Sequence, residues 1–167
     1  MRDMRPEDLC APDYRAVRLF HHDGTIRMVL AVDREVPYPE GELIVSRTDS
    51  AGIVTHANPA FVLLSGYPLH ELIGEPHYIL RHPDMPGEVF RDLWETVSAG
   101  HKWHGYLKNL RKDGAYYWVR AVVVPNLRDG RIVGYTSVRR EPARERVREA
   151  ESLYRALQPV PNSTTSR

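Results

Sequence analysis

The chain has 167 residues, of which 42% are hydrophobic, a length and composition that suit one domain with extensions around a sizeable core. Its 23 basic side chains against 22 acidic ones leave no net field to attract nucleic acid or an anionic membrane. No run approaches the roughly 18 consecutive apolar residues of a membrane span. The amino terminus, with Arg2, Asp3, Arg5, Glu7 and Asp8, lacks the apolar region of a signal peptide, so a cytoplasmic chain is expected. The single cysteine, Cys10, excludes an intramolecular disulfide and a cysteine-based zinc cluster.

Residues 1–40 read as an N-terminal extension. Two apolar runs, Tyr14–Phe20 and Thr25–Val32, flank His21-His22-Asp23-Gly24, and Asp-Gly between such runs predicts a hairpin. A two-stranded ribbon is marginal alone and must pack on something. As a pair at a loop tip, His21 and His22 read as solvated rather than metal-binding. Pro37-Tyr38-Pro39-Glu40-Gly41 reads as a linker.

Residues 42–140 form the next unit. Leu43–Thr48 and Ile53–Ala57 read as strands joined by the turn Asp49-Ser50-Ala51-Gly52. Asn58-Pro59 is a helix start, a cap followed by a first-turn proline, and Phe61, Val62 and Leu64 supply the apolar face. A further short helix is predicted over Pro68–Ile73 and a longer one over Glu88–Ser98, where Val89, Phe90, Leu93, Trp94 and Val97 recur at helical spacing. Three strands follow, Trp103–Arg111, Tyr116–Pro125 and Arg131–Arg139, turning at Asp113-Gly114 and Asp129-Gly130. Residues 141–158 hold an amphipathic helix with Val147, Ala150, Tyr154 and Leu157 on one stripe. That stripe suits either folding back on its own domain or a dimer or partner contact, and two heptads do not decide it. Residues 159–167, rich in Ser and Thr, are expected to be a disordered tail.

Between the helical patterns lies Glu75-Pro76-His77-Tyr78-Ile79-Leu80-Arg81-His82-Pro83-Asp84-Met85-Pro86. Pro83 biases His82 toward an extended conformation, and Pro86 suits the first turn of the next helix. The chain is expected to break there, expose Arg81 and His82, and start a helix. A helix N-terminus beside a guanidinium welcomes a carboxylate or phosphate. The alternative is that Arg81, His82 and Asp84 cap and brace a tight loop.

The element order gives α+β: a five-stranded antiparallel sheet with short helices on one face, plus a C-terminal amphipathic helix. A small ligand would lie between sheet and helices. Period-two alternation places Trp103, Gly105, Leu107 and Asn109 on one face of their strand, an aromatic surface, a gap and an amide in line.

Several stretches, taken together, carry a resemblance. They are Gly-Ile-Val-Thr-His-Ala-Asn-Pro-Ala-Phe, Ser-Gly-Tyr, Arg-His-Pro-Asp-Met-Pro, Lys-Asn-Leu-Arg-Lys-Asp-Gly-Ala-Tyr-Tyr-Trp-Val and Gly-Tyr-Thr-Ser-Val-Arg. In this order the chain resembles a PAS sensory domain over about residues 42 to 155 and, more narrowly, the flavin-binding PAS domain of bacterial aerotaxis receptors. The resemblance implies a PAS-like fold holding FAD non-covalently, whose redox state reports oxygen or electron-transport status to a signalling partner or to receptor domains outside this sequence. It implies Arg81, His82 and Asp84 as cofactor-binding residues, with Asn58, Trp103 and Asn109 as further contacts, and Arg81 on the pyrophosphate.

Flavin photoreceptors of this kind bond their cofactor to a nearby cysteine. Cys10 lies far outside the matched region, so redox sensing is expected rather than light-driven adduct chemistry. The family's full receptors continue into a membrane anchor and a signalling coiled coil, so the chain is expected to be a receptor fragment or a stand-alone protein acting in trans, with a homodimer open. Two other readings are a haem-binding gas sensor with His77 or His82 as axial ligand, and a ligand-free interaction module. No nucleophile, metal set or phosphate loop accompanies His82 and Asp84, so an enzyme is not expected.

Overall fold

The computed structural model describes residues 1–158, so the tail expected to be disordered lies outside the described residues. The N-terminal hairpin forms as the Asp-Gly signal predicts, with β1 (Arg15–Phe20) antiparallel to β2 (Ile26–Ala31). The second sheet has five antiparallel strands: β3 (Ile44–Asp49), β4 (Val54–Ala57), β5 (Trp103–Leu110), β6 (Tyr116–Arg128) and β7 (Arg131–Arg140). Their spatial order is β4-β3-β7-β6-β5, so the last strand in sequence sits at the centre and pairs with both β3 and β6. The β6–β7 turn places both Asp129 and Gly130 at positive φ, 51° and 74°, the primed turn that follows the strands' twist. Gly134 is required where β7 passes β3, because a Cβ there would lie 2.1 Å from the Thr48 carbonyl oxygen.

Helices α1 (Pro59–Ser65), α2 (Leu69–Leu72) and α3 (Gly87–Ser98) and a short 3₁₀ turn over His77–Leu80 cover one face of this sheet. Asn58 starts α1 as its sequence context predicts. Its Oδ1 accepts from the Phe61 and Val45 amides, both at 3.1 Å, and its amide nitrogen donates to the Leu43 carbonyl at 2.8 Å. The cap therefore also fastens α1 to β3. Pro86, expected inside α3, instead stands one residue before it as the N-cap.

Packing decides two points that the sequence left open. The hairpin packs on the domain, as a two-stranded ribbon must: Arg27 of β2 is buried and donates to the Ile79 carbonyl at 2.7 Å and to the Tyr67 hydroxyl at 2.9 Å, bolting the hairpin to the helical layer. The final helix α4 (Arg144–Leu157) folds back on its own sheet. Val147, Ala150 and Tyr154 are buried, the Tyr154 hydroxyl donates to the Tyr106 carbonyl at 2.7 Å, and its ring stacks on Trp118 at 6.3 Å. Trp118 and Lys108 alternate with Tyr117 and Asn109 along their strands, so α4 lies on the sheet face opposite the small helices. Leu157, expected on the same stripe, remains exposed.

Candidate functional site

Between the sheet and the helical layer lies a cavity of about 100 Å³ that opens to solvent. Its walls are largely apolar, with Leu80, Leu93, Trp94, Leu107, Val123 and Tyr135 supplying the greater part. Among these stand a few polar groups: Asn109, Arg81, His77, Ser46, Ser137 and Thr48. An apolar slot with sparse convergent polar groups suits a flat, partly polar small molecule.

The fold brings Arg81 and Asn109 together, a pairing that sequence spacing does not show. The two residues form an antiparallel β-bridge that lays the 81–85 segment along β5, and both side chains line the cavity. The Arg81 guanidinium sits over the Phe90 ring at 5.2 Å and donates through Nη1 to the Phe20 carbonyl at 3.3 Å. Its Nη2 lies close to Gly87, where α3 begins and a Cβ would be 3.7 Å away, and its Nε is buried with no partner among the described residues. A cation with an unused donor beside a helix N-terminus is equipped for phosphate oxygens. Burial lowers the Arg81 pKa, partly offset by Glu88, and leaves it a cation at neutral pH.

The other site residues expected from sequence are placed elsewhere. His82, expected to be exposed, is only 2% exposed, because its ring turns inward edge-on to Tyr116 and its Nδ1 accepts the Asp84 amide at 3.1 Å. Asp84 bonds Arg15 and, at 2.9 Å, Lys108. Burial alone would raise the Asp84 pKa, but its bonds to Arg15 and Lys108 outweigh that and lower it. Burial, then Lys108, depresses the pKa of His82. Neither residue lines the cavity; they form a brace that ties the loop to β5 and to the hairpin. Trp103 also stands outside the lining: its ring folds over Gly105, and its indole donates to Asp92 of α3 at 2.8 Å. The side chain of Asn58 is spent on the α1 cap. Cys10 is a free thiol and is not part of the lining.

The hairpin supplies wall residues that sequence reading left out. His21, expected to be solvated, is buried and stacks on Tyr78 at 3.9 Å. The Tyr78 hydroxyl donates to Asp23 at 2.6 Å. Burial, then the Arg81 charge, pushes the His21 pKa down to about 4, so it is neutral at pH 7. Deeper in, the His77 Nε2 is 3.2 Å from Ser46 Oγ. Burial, reinforced by the Arg139 charge, takes the His77 pKa to about 3, although one edge of the ring opens on the cavity. Asn109 faces its cross-strand partner Tyr117; burial pushes that phenol's pKa up to about 12, so it is protonated at neutral pH. The signal for Ser46 and Ser137 was available as polar residues on the inward phase of otherwise β-rich strands.

A sequence profile described as the PAS fold matches residues 54–139. The Aerotaxis receptor of Escherichia coli (strain K12) is 46% identical over 124 residues, covering 74% of this chain and 24% of that receptor. The chain thus spans about a quarter of the length of that curated relative. Among solved structures, the blue-light photoreceptor Aureochrome1 LOV in its light state matches with a TM-score of 0.59 at 23% identity, over 64% of this chain and 90% of that one. A light-oxygen-voltage domain described with a flavin analogue matches at 0.58 and 20% identity, over 70% of this chain and 87% of that one. At these identities the two structures speak to the fold alone. A five-stranded sheet in the order β4-β3-β7-β6-β5, helices over one face, and a profile match across more than half the chain agree: the chain belongs to the PAS family and is a sensor domain related to the aerotaxis receptor.

Proposed function

We propose that the chain is a redox sensor that holds FAD non-covalently in the cavity between sheet and helices. The observation that carries this reading is the cavity itself: an apolar slot walled by Leu80, Leu107, Trp94 and Tyr135, with the Arg81 cation and the Asn109 amide in its lining. The slot suits a planar ring system, Asn109 offers a donor and an acceptor to a polar ring edge, and Arg81 with the α3 start suits the pyrophosphate. The 46% identity to an aerotaxis receptor supports the sensor part of this reading. When bound, the flavin supplies two-electron redox chemistry; the chain's residues bind it, exclude water and sense its edge. His82 and Asp84 support the site by bracing the loop that carries Arg81.

The readout is the sheet. Asn109 faces the cavity, while its strand neighbours on the opposite face contact α4, so a turned amide is felt by the helix through β5 and β6. The bias needed is modest, about 1–3 kcal/mol. The recipient is a signalling protein or further receptor domains, in a cytoplasmic setting; a homodimer built on the Val147-Ala150-Tyr154 stripe requires α4 to leave the sheet first. Hydrogen exchange over residues 144–157 is expected to differ between oxidised and reduced protein, and Asn109→Leu to keep at least part of the flavin while losing the difference. Equal exchange in both states of the wild type would refute the sensor reading.

Haem is a weaker second reading. His77 lines the cavity, but its Nε2 is engaged with Ser46, and His82 is outside. A Soret band rather than flavin bands in the purified protein would reverse the order.

A further inference from the structure

Arg139 lies on the same face of β7 as Tyr135 and Ser137, both of which line the cavity, and it is 0% exposed. Its guanidinium rests over the Phe61 ring at 4.4 Å and donates through Nη2 to Ser46 Oγ; its Nε and Nη1 have no partner among the described residues. The ionisable groups it faces are His77, Tyr117 and Tyr38, none of them a carboxylate. A buried cation without a counter-ion is costly, and a core that only needed volume would be better served by an apolar residue. Its single hydrogen-bonded neighbour, Ser46, is itself a wall residue. Because Ser46 Oγ accepts from Arg139, its own proton points away, toward neutral His77 Nε2 or into the cavity.

We propose that Arg139, acting through Ser46, is a positioning residue that makes this end of the cavity an acceptor for negative charge and so raises the reduction potential of the flavin held there. This inference rests on the FAD reading above. Reduction by two electrons from a chemical reductant such as dithionite and one proton from solvent adds one net negative charge to the ligand. The uncompensated guanidinium favours that charged product over the neutral oxidised form. Arg139 does not touch the ligand, and the Ser46 hydroxyl transmits its polarity to the wall.

The test is a spectroelectrochemical titration of the FAD-loaded full chain, wild type against Arg139→Met, Arg139→Lys and Ser46→Ala. Arg139→Met is expected to lower the ratio of reduced-form to oxidised-form affinity at least tenfold, a midpoint drop of about 30 mV for a two-electron couple. Arg139→Lys should recover most of the drop, and Ser46→Ala should shift the midpoint the same way by less. A purely structural Arg139 predicts altered melting with an unchanged midpoint, and that result overturns the proposal. If Arg139→Met does not fold, Ser46→Ala decides, and an unchanged midpoint there counts against the proposal in the same way. Wild-type protein that takes up no flavin defeats the FAD reading and this inference with it, whereas flavin uptake with unmoved midpoints defeats the inference alone.

Discussion

The Arg81 guanidinium has one carbonyl acceptor and one aromatic face, and its buried Nε has neither. Arg81→Ala should therefore weaken FAD binding about tenfold or more with little change in folding, because a charge-assisted contact is lost from a half-buried lining residue. Arg81→Lys should rescue only part, lacking the planar fork. Fluorescence titration with FAD checks both, and unchanged affinity in a folded Arg81→Ala protein would remove Arg81 from the site. His77 makes a pH prediction. Its folded-state pKa is depressed to about 3 from 6.5, so between those values the unfolded chain binds more protons, and stability falls as pH drops through that window. The loss from pH 7 to pH 5 is on the order of 1–2 kcal/mol for this group, reduced where cavity water reaches the ring. In urea melts His77→Phe should be less acid-sensitive than wild type by that margin; the same sensitivity would place the acid response elsewhere. At this scale the sequence was informative where a motif marked the residue and silent where only register did. Arg81 and Asn109 could be named, but nothing local distinguishes Arg139, which is buried, from Arg140, which is exposed. That choice is made by pairing β7 with β3 and β6.

Elements were more legible than contacts. Each Asp-Gly turn, the Asn58 cap and the α3 periodicity identified their structures, because each rests on backbone geometry that a few adjacent residues determine. The packing of the hairpin and of α4 was not legible, since an amphipathic stripe states that a face will be covered and not by what. For α4, the clasp is the Tyr154 hydroxyl on the Tyr106 carbonyl. Tyr154→Phe should cost about 1 kcal/mol and speed hydrogen exchange within 144–157 while leaving FAD affinity unchanged. Acceleration spread evenly over the five-stranded sheet would mean that α4 is part of the core and not a separable output element.

For the whole molecule, the PAS architecture places the cavity on one face of the sheet and α4 on the other, with the hairpin adding His21 and His22 to the cavity wall and His21 stacking on Tyr78. The fold class was readable from element order, and the proposed ligand class rests on the resemblance. The size of the slot and the hairpin's share in its walls depend on long-range packing that no local pattern encodes. The account stands on the slot being the flavin site. Ser137 lines it from the central strand, so Ser137→Phe fills the slot without touching Arg81 or Asn109. The most direct measurement is the absorption spectrum of purified protein titrated with FAD, wild type against a Ser137→Phe variant shown to fold. Structured, protein-bound flavin bands in the wild type and their loss in the variant are the predicted result. A wild type that binds no flavin, or a folded variant that binds it equally well, would contradict the account.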